Sequence, residues 1–90
     1  MNWTVYILEC ADGSLYTGIT KDLTRRITKH ETGKGARYTD GRGPFRLVCQ
    51  EFQPTRLEAT KREAAIKAMT RADKLALITK VMFTTNIPSV

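Results

Sequence analysis

The sequence has no apolar run that approaches the roughly 18 residues needed to cross a bilayer. Its first residues lead directly into a strand-like segment and do not resemble a targeting leader. It has only two cysteines, Cys10 and Cys49, which lie far apart and outside any CxxC or Cys/His cluster. We therefore predict a cytoplasmic protein without membrane contact, in which both cysteines are buried, reduced thiols and neither disulfide partners nor zinc ligands.

Negative charge is also scarce. Nine acidic residues stand against 15 lysines and arginines, which gives a net charge of +6, and residues 21–46 hold eight of the bases and only three of the acids. This excess favours a polyanionic partner, with nucleic acid foremost. An anionic membrane surface is a weaker alternative, because no long amphipathic helix places Trp, Phe and Leu opposite the bases and the one tryptophan is Trp3.

The length of 90 residues fits one compact domain. We assign residues 1–83 to this domain and residues 84–90, which lack periodicity, to a flexible C-terminal tail. No internal repeat is visible, and we take a monomer as the default state.

The elements of the domain follow from strand and capping signals. Strand-like residues 3–10 and 15–19 flank Asp12-Gly13, which is a strong hairpin signal. Asp22 can cap a following helix, which we expect to end near Gly33. A third strand is expected at residues 45–52.

Two capping boxes then predict two further helices. The first pairs Thr55 with Glu58, and the second pairs Thr70 with Asp73. The predicted order is β-β-α-β-α-α. This order indicates an α+β fold in which a small antiparallel three-stranded sheet is flanked by helices.

The hairpin carries two triplets, Val5-Tyr6-Ile7 and Tyr16-Thr17-Gly18, that are similar to the two signature motifs of the GIY-YIG nuclease family. The first helix and the segment Lys61–Lys67 are similar to later parts of the same pattern. Each triplet alone is a weak signal, but their order and spacing together are fairly specific. The chain resembles the short, free-standing bacterial members of uncharacterised role, the UPF0213 group, over residues 4–80.

By this resemblance, Tyr6 and Tyr16 orient or deprotonate the attacking water. Each is also an ordinary strand residue that packs and hydrogen-bonds its hydroxyl. Both phenols reach one site only if they project from one face of the hairpin. A two-residue loop at Asp12-Gly13 would place them on opposite faces, because side chains alternate, so we predict an odd-length loop or a bulge near Gly13 or Ser14.

The first helix carries two adjacent arginines, which point about 100° apart and cannot share one role. The family's arginine lies ten residues after the second tyrosine, which selects Arg26 as the group that binds the scissile phosphate. Arg25 is then a peripheral phosphate contact or a solvated residue. His30, the sole histidine, lies one turn after Arg26 on the same face. The resemblance implies that His30 accepts or relays a proton, or hydrogen-bonds the phosphate.

Glu63 lies on the helical stripe between Ala59 and Ile66, which should face the sheet. A carboxylate there would be partly enclosed and would need a partner. It can form an ordinary surface pair with Lys67, four residues further on. In the family this glutamate is the ligand of a divalent metal ion, so the resemblance implies Mg²⁺ or Mn²⁺ at Glu63, completed by waters and phosphate oxygens.

The glycine-rich residues 33–43 predict a loop. Its bases and its aromatic ring suit either nucleic-acid contacts or a solvated loop, and both interpretations stay open. It lacks the P-loop pattern, so we expect no nucleoside-triphosphate site. With the bases of the first helix, the expected nucleic-acid contacts are Arg25, Lys29, Lys34, Arg37, Tyr38 and Arg42.

The predicted function is metal-dependent endonucleolytic hydrolysis of phosphodiester bonds in nucleic acid, with DNA favoured over RNA and DNA repair or processing as its setting by resemblance. The family's asparagine after the glutamate has no counterpart near Leu75, and no separate DNA-binding domain accompanies the motifs. We therefore expect structure-selective or non-specific cutting. The alternative is a non-catalytic basic module that retains the fold and binds DNA or RNA. The expected catalytic residues are Tyr6, Tyr16, Arg26, His30 and Glu63.

Overall fold

A computed structural model describes residues 2–35 and 39–85 of the chain. Within these ranges it has three strands and three helices in the order β-β-α-β-α-α, which confirms the predicted α+β class. α3 includes residues 84 and 85 of the expected tail, whereas residues 86–90 lie outside the described part of the chain. The elements are β1 (Trp3–Glu9), β2 (Leu15–Thr20), α1 (Leu23–Glu31), β3 (Arg46–Gln53), α2 (Arg56–Lys67) and α3 (Arg71–Thr85).

β1 is the central strand of an antiparallel sheet with the order β2-β1-β3, so β2 and β3 are both edge strands. Side chains alternate along β1, and Val5 and Ile7 point to the face that α2 and α3 cover. Tyr6 and Leu8 point to the opposite face and are also fully buried. The core on the α2–α3 side is completed by Cys49, Ala59, Ile66 and Ile78.

The predicted helix caps are confirmed. The Oδ1 atom of Asp22 accepts the backbone N–H of Arg25 at 3.1 Å, which begins α1. The hydroxyl oxygens of Thr55 and Thr70 each accept the N–H three residues further on, at 3.2 and 3.1 Å. Each cap satisfies a backbone donor that has no partner inside its own helix. The caps therefore fix where α1, α2 and α3 begin beside the sheet.

The β1–β2 loop has an odd number of residues, as predicted. Glu9 pairs with Leu15, which leaves five residues between the two strands. Within the loop, the backbone N–H of Ser14 donates to Asp12 Oδ1 at 3.0 Å. This register places the side chains of residues 6 and 16 on one face of the sheet.

Cys10 and Cys49 are both buried free thiols, in agreement with the sequence. Burial raises the pKa of the Cys49 thiol to about 11, so it stays protonated near neutral pH. In residues 2–35 and 39–85, no helix has the length and apolar character that crossing a membrane requires.

Candidate active site

The phenol of Tyr6 lies across strand β2. Tyr6 pairs with Gly18 in the β1–β2 ladder, and Leu8 pairs with Tyr16. A Cβ atom at Gly18 would lie only 2.6 Å from Tyr6 Oη and 3.1 Å from Tyr16 Cε2. The absence of a side chain at Gly18 therefore lets the phenol extend over β2, the edge strand.

His30, in the last turn of α1, is buried and uses both ring nitrogens. Its Nε2 atom lies 2.8 Å from Tyr6 Oη, and its Nδ1 atom lies 2.8 Å from Thr39 Oγ1. A neutral imidazole donates through one nitrogen and accepts through the other. Tyr6 therefore donates to Nε2 in the tautomer whose Nδ1–H donates to Thr39, and both bonds reverse in the other tautomer.

Arg26, one turn before His30 on α1, adds a guanidinium group to this pair. Its Nε–H donates to Tyr6 Oη over a longer distance of 3.4 Å, and the nearby Tyr16 hydroxyl also favours the charged form of the guanidinium. Arg26 is half-buried, whereas Arg25 is exposed. The different directions predicted for the two arginines are confirmed.

These contacts shift the pKa values of three groups. Burial raises the pKa of Tyr6, the Arg26 hydrogen bond opposes this, and the charges of Tyr16 and Glu63 raise it further. Burial lowers the pKa of His30, and the Arg26 charge lowers it again. The hydrogen bond to Tyr6 raises the pKa of Arg26. Near neutral pH the Tyr6 phenol is therefore protonated, the imidazole is neutral and the guanidinium is charged.

The two tyrosines differ in exposure. Tyr6 is completely buried, whereas Tyr16 is half-exposed. The Tyr16 ring centroid lies 6.3 Å from that of Tyr6 and 5.0 Å from that of His30. Tyr16 and Arg26 thus form the accessible side of the cluster, and Tyr6 and His30 form its interior.

Glu63 approaches from α2, on the other side of the sheet. It lies on the stripe between the fully buried Ala59 and Ile66, as predicted, and its side chain is 20% exposed. Its Oε2 atom lies 3.4 Å from Lys67 Nζ. Its charge is the smallest of the causes that raise the pKa of Tyr6. α2 packs against β2, so Glu63 lies on a helix that borders the strand carrying Tyr16.

The carboxylate of Glu63 suits a magnesium site in which the protein supplies few of the ligands. Among the described residues there is no group of three His, Cys, Asp or Glu side chains that could enclose a metal ion. Magnesium in phosphoryl-transfer sites is commonly held by one or two carboxylates, several waters and substrate phosphates. A single half-enclosed carboxylate whose salt-bridge partner is the exposed Lys67 fits that pattern, and it does not fit a closed protein cage.

Two of the expected nucleic-acid contacts lie beside Arg26. Arg25 and Lys29 line a depression of about 280 Å³ along α1. We call it the α1 depression, and its lining residues are Thr20, Lys21, Asp22, Arg25, Arg26 and Lys29. Four bases against one acid make this surface strongly positive and continuous with the guanidinium of the cluster.

The other expected contacts are not gathered at this surface. Lys34 is exposed just after α1. Arg42 forms an ion pair with Asp12, with Nη1 2.5 Å from Oδ2, and so stabilises the β1–β2 loop. Arg37 and Tyr38 lie outside the described residues.

Three residues near His30 were missed by the sequence interpretation. Thr39 binds Nδ1 of His30, and the Phe45 ring centroid lies 6.0 Å from that of the imidazole. A Cβ atom at Gly35 would overlap the imidazole ring. Residues 35, 39 and 45 therefore pack around His30. The glycine content of the loop was the one sequence signal for this close approach.

Comparison with known proteins gives a result consistent with the motif pattern. Residues 2–76 match the model of the GIY-YIG catalytic domain. A UPF0213 protein of Halalkalibacterium halodurans is 55% identical over 78 residues, which are 87% of this chain and 83% of that protein. A UPF0213 protein of Staphylococcus aureus is 55% identical over 74 residues, which are 82% of this chain and 90% of that protein.

Two solved structures have the same fold. The solution NMR structure of the UPF0213 protein from Bacillus halodurans has a TM-score of 0.58 and 54% identity, and covers 88% of this chain and 84% of that chain. The solution NMR structure of a protein from E. faecalis has a TM-score of 0.65 and 39% identity, and covers 92% of this chain and 88% of that chain.

Proposed function

This chain belongs to the GIY-YIG family of nuclease domains, and we propose that it is a metal-dependent endonuclease that hydrolyses phosphodiester bonds in nucleic acid. The proposal rests on one observation. Two phenols, a guanidinium and an imidazole from β1, β2 and α1 lie together at β2, and Glu63 lies on α2, the helix that packs against this strand. Such a set can bind a phosphate, accept a proton and hold a cation at one place.

Arg26 binds the phosphate in this proposal. Arg26 is half-buried beside the two tyrosines, so its planar guanidinium can contact a phosphate oxygen at the surface. The charge that develops on the phosphate oxygens during displacement strengthens this contact in the transition state. Arg26 therefore contributes to rate and not only to binding.

Tyr6 and His30 move the proton. As the water oxygen bonds to phosphorus and the bond to the leaving sugar oxygen breaks, the water proton passes to Tyr6 Oη and the phenolic proton passes to His30 Nε2. The lowered pKa of His30 keeps Nε2 available as an acceptor near neutral pH. Tyr6 is fully buried, so water reaches its hydroxyl once Arg26 or Tyr16 shifts, and a phosphate that draws Arg26 outward provides that shift.

Glu63 would hold the Mg²⁺ or Mn²⁺ ion. When bound, such an ion offsets the negative charge that builds up on the leaving oxygen. To bind the ion, Glu63 would give up its ion pair with Lys67. This costs little, because an ion pair with a half-exposed lysine contributes at most about 1 kcal/mol.

The α1 depression supplies affinity without reading sequence. Its basic residues lie on α1 and just before it, next to Arg26, where they can contact backbone phosphates of DNA or RNA. We infer that DNA is the preferred partner, that the protein acts as a monomer in the cytoplasm, and that its setting is repair or processing of branched or damaged DNA. Binding should weaken steeply as salt rises.

The test is cleavage of single-stranded, nicked and branched DNA, and of RNA, with Mg²⁺ and with Mn²⁺. We expect cutting by the wild type and a loss of at least about 100-fold in Glu63→Gln and Arg26→Ala. Glu58→Gln on the same helix and Arg46→Ala on β3 serve as matched controls that keep activity. Cutting that survives both site variants would indicate another site, and no cutting by the wild type on any substrate would favour the non-catalytic binding module.

A further inference from the structure

A second basic depression opens on the α2–α3 side of strand β2. It has a volume of about 260 Å³, and its lining residues are Leu15, Tyr16, Thr17, Lys67 and Lys74. We call it the α2–α3 depression. Two ammonium groups line it, one from the end of α2 and one from the start of α3. The lining contains no acidic residue, so a bound anion would meet positive charge from both helices.

The two depressions open on either side of the candidate active site. Arg26 lines the α1 depression and contacts Tyr6, whose ring is a neighbour of Tyr16, and Tyr16 in turn lines the α2–α3 depression. A nucleic-acid strand that places one phosphate at Arg26 and crosses β2 would therefore carry its next phosphates toward Lys67 and Lys74. Basic side chains on both sides of a cleavage site can hold the strand in position through its phosphates, without contacting its nucleobases.

The hydroxyl group of Thr17 gives independent support for ligand binding in the α2–α3 depression. It is buried, and its Oγ1 atom is the one enclosed side-chain polar atom in the described residues that has no hydrogen-bond partner. Buried hydroxyl groups in folded proteins almost always have a partner, and an exception calls for a water, an ion or a ligand. Thr17 lines the α2–α3 depression with its Oγ1 atom enclosed, so a ligand oxygen or a bound water supplies the missing partner once the atoms that cover Oγ1 shift.

Lys67 and Lys74 differ in how exposed their side chains are. The Lys67 side chain is 53% exposed, and its Nζ atom lies 3.4 Å from Glu63 Oε2. Lys74 is half-buried beside the strand. An exposed pair of this kind is weak and easily rearranged, so Lys67 can turn from the carboxylate to a phosphate.

We propose that the α2–α3 depression is a second phosphate-binding subsite, in which Lys67 and Lys74 hold a backbone phosphate of the same nucleic-acid strand whose scissile phosphate Arg26 binds. This inference rests on the proposed function, because it needs a nucleic-acid strand at β2. It does not need the strand to be cut, and binding alone can test it.

The experiment measures oligonucleotide binding by fluorescence anisotropy with divalent metal chelated, across a series of salt concentrations. It compares Lys67→Ala/Lys74→Ala with Lys61→Ala/Lys80→Ala. Each double variant removes one lysine from α2 and one from α3, so the change in net charge is the same, and all four lysines belong to described helices. Circular dichroism and thermal unfolding establish that both variants are folded.

For duplex DNA, each phosphate contact contributes about 0.9 to the slope of log affinity against log salt. For the subsite variant we expect a slope that is smaller by the contribution of at least one phosphate contact. We also expect it to bind at least fivefold more weakly than the control variant. Lys67→Arg/Lys74→Arg should retain the wild-type slope. Equal slopes and affinities for the two alanine variants would overturn the subsite, as would a wild type that binds no oligonucleotide.

An NMR titration locates the contact. The backbone amides of Thr17, Lys67 and Lys74 should shift on addition of a short oligonucleotide and should not shift with inorganic phosphate at the same phosphorus concentration. Equal shifts with inorganic phosphate would overturn the strand subsite in favour of a general anion site. If the wild type binds and these amides respond but no substrate is cut, the subsite stands and the proposed nuclease function fails.

Discussion

Tyr6 and Gly18 are cross-strand partners, and the phenol of Tyr6 occupies the space that a side chain at position 18 would need. A Cβ atom there would lie 2.6 Å from Tyr6 Oη and 2.7 Å from Cζ. The same hydroxyl bonds His30 and Arg26. The glycine therefore controls the position of the group on which the whole cluster depends.

Gly18→Ala should displace the Tyr6 ring and break its contact with His30. Forcing one methyl group into a filled site commonly costs about 1–3 kcal/mol, and we expect a loss of that size in the free energy of unfolding, measured by urea titration. In a Tyr6→Leu background, whose shorter side chain does not reach position 18, the same substitution should cost much less. An equal cost in both backgrounds would contradict this account of Gly18.

The stability of the protein should fall as the pH falls below about 6.5, the ordinary pKa of histidine. Burial and Arg26 lower the pKa of His30 in the folded state, so in this range the unfolded chain binds a proton that the folded chain does not. The free energy of unfolding should therefore decrease with falling pH, by at most about 1.4 kcal/mol per pH unit, until the folded-state pKa is reached. Urea titrations between pH 5 and 7 measure this.

His30→Gln is the control for the pH dependence, because glutamine keeps a donor and an acceptor but does not titrate. His30 is the sole histidine, and carboxylates titrate mostly below this range. The variant should have a flat profile between pH 5 and 7. A slope that persists in it would assign the effect to another group.

Removing the charge of Lys67 should tighten metal binding at Glu63. The Glu63–Lys67 pair is half-exposed and contributes about 0.2–1 kcal/mol, and that energy opposes an incoming cation. We expect Lys67→Gln to bind Mn²⁺ about 1.5- to 5-fold more tightly, measured by paramagnetic broadening of amide signals in α2. Glu63→Gln should abolish the broadening, and unchanged broadening in it would place the ion elsewhere.

Thr17→Val should change stability and affinity in opposite directions. It removes a buried hydroxyl that lacks a partner, which should raise the free energy of unfolding by about 1 kcal/mol. It also removes the group that the α2–α3 depression offers to a ligand oxygen, so oligonucleotide affinity should fall. Thr39→Val is the matched control, because it breaks the bond to His30 and should lower stability. A Thr17→Val protein that loses stability would contradict the reading of Thr17 as unsatisfied.

The sequence predicted those features that depend on neighbours along the chain. Asp22, Thr55 and Thr70 cap helices through the third residue that follows each of them, so their role is readable locally. The odd-length loop followed from the alternation of strand side chains together with the family's need for two phenols on one face. The stripe that carries Glu63 followed from helical periodicity.

Features that depend on how distant segments pack could not be predicted in the same way. Thr39 and Phe45 contact His30 through tertiary packing between α1 and residues that follow His30 by nine or more positions, and no local pattern gives that contact. Lys74 lies beside β2 because of the turn between α2 and α3. The ion pair of Arg42 with Asp12 depends on the approach of two loops, which no local pattern predicts.

The cluster at β2 draws on both halves of the chain, which has a consequence for when it can form. The hairpin and α1 bring together the phenols, the guanidinium and the imidazole, but the carboxylate arrives only when α2 docks on the opposite face. A chain emerging from the ribosome therefore cannot complete the arrangement until its second half has been made and has folded. The full set of five groups therefore forms only with the finished fold, and unfolding of α2 would remove Glu63 from it.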